Sequence, residues 1–86
     1  MMIELRHLRT LVALRDTGSL VDAAERLFLT QSALSHQLKD LEDRLECTLF
    51  VRKTRPPRFT SAGRRLLKLA DEMIPMVRTA ERDIVR

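Results

Sequence analysis

Residues 29–45 read LTQSALSHQLKDLEDRL, and the spacing inside this stretch decides the fold. Leu34, Leu38, Leu41 and Leu45 recur at helical intervals, so one face of the segment is built for burial. The opposite face opens with Gln31, Ser32, Ser35, His36 and Lys39. The second half carries the ordinary charged mix of Asp40, Glu42, Asp43 and Arg44. Amides, hydroxyls and an imidazole at the head of an amphipathic helix are an unusual choice for a face that meets only water.

Just upstream, Leu29 and Thr30 alone separate this helix from another, expected over residues 20–28. Thr30 is a natural N-cap for the quoted helix, as Ser19 is for its predecessor, with Asp22 three residues on in a capping-box-like start. A two-residue join forces a steep crossing, the geometry of a helix-turn-helix. Small Ala23 and Ala24 permit close approach, and Ala24, Leu29 and Leu34 are placed to plug the corner. Leu20, Ala24, Leu27 and Phe28 form the expected buried face of the second helix. A first helix over residues 4–17 turns Leu5, Leu8, Leu11, Val12 and Leu14 inward, and Gly18 ends it.

Downstream, residues 46–65 read ECTLFVRKTRPPRFTSAGRR. Residues 49–52 and 58–60 are expected as two short strands, with Pro56 and Pro57 confined to the turn because proline cannot donate to a ladder. A basic hairpin beside such a helix pair is a wing. Arg55, nearest its tip, suits the minor groove, where negative potential is strongest. Arg52, Lys53 and Arg58 suit phosphates.

From Thr60 a last helix is expected to reach the C-terminus. Leu66, Ala70, Met73, Val77, Ala80 and Ile84 follow steps of four and three, a heptad stripe, which Leu67, Leu69, Ile74 and Met76 widen. That is more apolar surface than one small domain covers, so the stripe predicts a homodimer, with two recognition helices on a two-fold DNA site. Pro75 is expected to kink or break the helix. The pattern stops at Arg86 without a termination signal, as in a fragment of something longer.

Composition agrees. Eighty-six residues make one domain, 44% apolar, with no Trp or Tyr, three Phe and two Gly, which points to helices around an aliphatic core. A single cysteine, Cys47, excludes an internal disulfide and fits a reducing cytoplasm. Arg6, His7 and Arg9 interrupt any signal-peptide-like run, and no stretch approaches the ~18 apolar residues of a membrane span. The net charge is +4, but no acidic residue lies between Cys47 and Ala70, where Arg52, Lys53, Arg55, Arg58, Arg64, Arg65 and Lys68 crowd together. Interleaved with Leu49, Phe50, Val51 and Phe59, these cations belong to a folded basic element whose partner is nucleic acid.

The polar helix face now has a use. In a helix-turn-helix the second helix enters the major groove with its N-terminal residues on base edges. Gln31 can address adenine bidentately, and Ser32 and Ser35 can reach bases or phosphates. Thr30 and the free N–H groups of the first turn favour a phosphate oxygen. No enzymatic constellation competes. His7 and His36 lack metal-ligand spacing, Ser35 and His36 diverge on their helix, Cys47 has no base nearby, and Gly18 and Gly63 form no phosphate loop. Neither a cofactor nor a metal is expected. The alternatives are a helical protein-interaction module or a sequence-blind nucleic-acid binder, and base specificity separates the latter from a regulator.

The stretches LRHLRTLVALRDTGSLVDAAERL, TQSALSHQLKDLEDRL, LFVRK and FTSAG, in that order, resemble the N-terminal DNA-binding domain of the LysR-type bacterial transcriptional regulators. TQSALSHQ with the LFVRK and RFT pieces is nearest the branch that regulates methionine biosynthesis (MetR-like). The resemblance implies a mainly α fold, a winged helix-turn-helix of three helices and a short β-hairpin over residues 1–59. A long dimerising linker helix over 60–86 would follow, with a C-terminal effector-binding domain absent from this chain, through which alone a small-molecule effector would act. It implies interrupted palindromes upstream of genes as targets, contacted by Gln31, Ser32, Ser35, His36, Arg52 and Arg55. Two departures stand out. His36 replaces the arginine most of the family carries, so binding is expected to strengthen in mild acid. Glu46 stands where glycine commonly follows the third helix; a left-handed backbone there would cost about 1 kcal/mol relative to glycine.

Overall fold

Local signals set the helix ends. The computed structural model describes residues 1–54 and 56–85. Among them the elements run α1 (Leu5–Thr17), α2 (Leu20–Arg26), α3 (Gln31–Leu45), β1 (Phe50–Val51), β2 (Arg58–Phe59) and α4 (Ser61–Ile84). The hydroxyls of Ser19, Thr30 and Thr60 accept the N–H groups of Asp22, Ala33 and Gly63 at 3.0, 3.0 and 3.1 Å, capping α2, α3 and α4. Gly18 closes α1 at φ 80°, and Glu46 closes α3 in the left-handed region at φ 54°, ψ 40°. The strands pair antiparallel, Phe50 opposite Phe59 and Val51 opposite Arg58, so they are shorter than the sequence suggested.

The second helix differs from expectation. It ends at Arg26, and Phe28, assigned to its buried face, is 95% exposed with φ 58°. The steep corner is the reason. Leu29 N–H must reach back to Ala24 C=O, at 2.9 Å, and Phe28 turns outward to allow it. Leu29 is itself 38% exposed, so the corner is plugged by Ala23, Ala24 and Leu34, with Leu27 packed alongside.

The core is aliphatic: Leu8, Leu11 and Leu14 of α1 meet Leu34, Leu38 and Leu41 of α3, closed by Leu49 and Phe50 from the wing. Leu66, Leu67 and Ala70 of α4 complete it. Arg15 fastens α4 to α1 through two bonds to Asp71, at 2.9 and 3.1 Å. This corrects the dimerising stripe. Leu66 and Ala70 are used up inside the chain's own core, because a heptad face can be covered from within as well as by a second copy. Met73, Val77, Ala80 and Ile84 remain, of which Met73 and Ile84 are 38% and 78% exposed. The expected break at Pro75 does not occur, and α4 continues to Ile84. Pro75 and Asp71, whose carbonyl lies one turn back, are both exposed, so water can take the bond the proline cannot make.

Candidate nucleic-acid interface

The head of α3 and the wing lie side by side. Gln31, Ser32, His36 and Lys39 are exposed on α3 and Ser35 is half-buried, so the face read as polar is open to a ligand. Lys39 pairs along the surface with Asp43 at 3.1 Å, a weak tie that a phosphate can replace. Thr30, by contrast, has its hydroxyl oxygen engaged in the cap. A shallow cleft runs from Gln31 past Ser19 and Val21 to Arg52, Thr54 and Pro57, bringing the recognition helix and the wing onto one surface.

The wing turn is closed by Thr54, whose hydroxyl donates to Val51 C=O at 3.2 Å and accepts Arg58 N–H at 3.1 Å. Lys53 and Arg58 are exposed, and neither side chain has a partner among the described residues. Arg55, assigned to the minor groove from sequence, lies outside the described residues. Arg52 needs correction. Read as a phosphate ligand, it turns inward instead, 2.9 Å from Glu42 and with its guanidinium 4.4 Å from the centre of the Phe50 ring. The other Glu42 oxygen accepts Leu49 N–H at 2.7 Å. A buried carboxylate on α3 therefore grips the strand entering the wing, and Arg52 neutralises it.

Glu42, assigned from sequence to the charged surface of α3, is instead 4% exposed: it falls four residues after Leu38 on the buried side, where a carboxylate needs a partner. His7, weighed from sequence as a metal ligand, is fully buried. Its Nδ1 accepts the Glu4 N–H at 2.9 Å, which leaves the proton on Nε2, and that atom has no partner among the described residues. Burial, and then the neighbouring Arg6 charge, pushes this imidazole below its ordinary pKa. No group of acidic, His or Cys side chains among the described residues is arranged to hold a metal ion. None of the described helices is long and apolar enough to cross a membrane.

The family model described as "Bacterial regulatory helix-turn-helix protein, lysR family" matches residues 5–64, which contain both helices of the motif and the whole wing. The chain belongs to the LysR family. Among curated LysR-type relatives, the HTH-type transcriptional regulator MetR of Haemophilus influenzae is 57% identical over 84 residues, 98% of this chain and 27% of its own length. The MetR of Escherichia coli K12 is 57% identical over 79 residues, 92% of this chain and 25% of its own. The chain thus spans about a quarter of the length of these MetR relatives. The DNA-binding domain of BenM, solved in complex with catB site 1 DNA, superposes with a TM-score of 0.83 at 35% identity, covering 91% of this chain and 84% of that one. These relatives are transcriptional regulators, and a LysR-family domain built on this fold has been seen on DNA.

Proposed function

We propose that this chain is the sequence-specific DNA-binding domain of a LysR-type transcriptional regulator acting on methionine-biosynthesis genes. The N-terminal half of α3 lies in the major groove. Gln31, Ser32, Ser35 and His36 face base edges, while Thr30, through the backbone N–H groups it caps, and Lys39 face the phosphates. The wing follows the adjoining backbone with Lys53 and Arg58 and carries Arg55 into the minor groove. Arg52 holds the wing rather than the DNA. Two copies, joined through the exposed part of α4, occupy an interrupted palindrome in the cytoplasm, and a small-molecule effector acts through a part of the regulator outside this chain.

The observation that carries this reading is the open polar head of α3 set beside two exposed wing cations, Lys53 and Arg58, that have no partner among the described residues. A surface evolved only for solubility has no need to align the two. Fluorescence anisotropy of a labelled duplex carrying a TGAA…TTCA palindrome, against a scrambled duplex across a salt series, tests it. The expected result is preference for the palindrome, with affinity falling about 10³-fold or more between 50 and 200 mM salt. Equal binding to both duplexes would identify a sequence-blind binder, and no binding at low salt would leave a protein-interaction module.

A further inference from the structure

The leucine stripe of α3 fixes how deeply the helix is buried but only weakly how it is rolled. Leu34, Leu38 and Leu41 are fully buried, and apolar contact is non-directional, so a small roll about the helix axis exchanges one set of contacts for another of similar worth. A directional bond on one flank of the stripe removes that freedom. Gln37 occupies that flank, away from the face that carries Ser32, His36 and Lys39. Its side-chain oxygen accepts a hydrogen bond from the hydroxyl of Thr10 on α1. Thr10 is 2% exposed, Gln37 half-buried. A threonine in a helix commonly returns its hydroxyl to the carbonyl one turn back; here it is spent across the interhelical gap.

We infer that Thr10 is a positioning residue for base readout, holding the roll of the recognition helix through Gln37 while touching no DNA itself. Phosphate contacts tolerate a small roll, because a phosphate can be met from several directions. Bidentate contacts to base edges do not. Loss of the bond should therefore lower discrimination between sequences and leave non-specific affinity alone. This inference rests on the DNA-binding reading above.

The test compares the native chain with Thr10→Val, which keeps the shape and burial and removes only the donor, and with Thr10→Ser, which restores it. For each, the ratio of Kd for scrambled and palindromic duplexes is measured, with thermal unfolding alongside. Thr10→Val should reduce the ratio about three- to tenfold at unchanged affinity for the scrambled duplex, and Thr10→Ser should recover it. Gln37→Met, which removes the acceptor from the half-buried side, should reproduce the loss and supplies the answer if the valine variant fails to fold. An unchanged ratio in the folded variants, or a loss of affinity for both duplexes alike, overturns the inference. A native chain without discrimination overturns instead the reading on which it rests.

Discussion

Glu46 ends α3 in the left-handed conformation, with φ 54°, where a Cβ crowds the following carbonyl and glycine does not. Its side chain is exposed, and no ion pair or side-chain hydrogen bond offsets the strain among the described residues. Glu46→Gly should therefore stabilise the domain by about 1 kcal/mol, seen in calorimetry as a rise in Tm of about 4–8 °C. An unchanged or lower Tm would mean that the freed chain entropy outweighs the strain. His7 sets a different test. Burial holds its pKa below the ordinary 6.5, so between that value and the depressed one the unfolded chain binds the extra proton and the folded chain does not. Stability is then lost as pH falls from about 6.5, the reverse of what a histidine paired with a carboxylate would give. Glu4 responds lower down: Arg6 and then Arg44 depress its pKa, so its contribution goes only below the ordinary 4.5. Tm measured against pH should fall between pH 6.5 and 5 in the native chain and stay level there in His7→Gln, with both declining below 4.5.

At the scale of elements, the wing and α3 behave as one unit because Glu42 accepts from both Leu49 and Arg52. Arg52→Met should lower stability by about 1–3 kcal/mol, the cost of a buried carboxylate short of a partner, towards the lower end because Arg52 itself is partly in water. It should leave the salt dependence of DNA binding nearly intact, whereas Arg58→Ala should reduce the slope by about 0.9. Equal slopes in the two variants would return Arg52 to the phosphates. The same pair shows what the sequence makes legible. Helices, caps and the polar head of α3 follow from residues within one or two turns of each other, whereas the left-handed end at Glu46 is raised only by the resemblance to a family that commonly has glycine there. The Glu42–Arg52 and Thr10–Gln37 bonds join residues 10 and 27 apart; local spacing can mark Glu42 as a buried carboxylate in need of a partner, but it names none of the partners. Phe28 is a third kind of miss. Its outward turn is imposed by closing the corner between two helices, and a bulky side chain gives no sign that its backbone will be taken left-handed.

For the whole molecule the heptad stripe was legible as an apolar surface but not as to what covers it. Leu66 and Ala70 pack inward, so only the part of α4 beyond Asp71 remains for the proposed dimer contact, with Met76 70% exposed. Met76→Asp, far from the core, should therefore leave the fold and its circular dichroism unaltered while shifting sedimentation towards the monomer. Affinity for a full palindrome should drop well below that of the native chain and approach that for a half-site, since two linked heads bind with the advantage of effective concentration. A dimer of unchanged strength would place the contact elsewhere.

The uninterrupted passage of α4 through Pro75 gives the molecule a lever. Ala70, at the fulcrum, is locked in the core, and Ile84 lies 14 residues farther along, about 21 Å at a helical rise of 1.5 Å per residue. With no loop between them to absorb motion, a push or twist applied at the far end arrives at α1 through the Arg15–Asp71 clamp, and α1 in turn holds α3 by way of Thr10 and Gln37. On the dimeric reading proposed above, a small displacement at the tip would be delivered as torque beneath α3, and the spacing and tilt of two bound heads would be set from the far end of the rod.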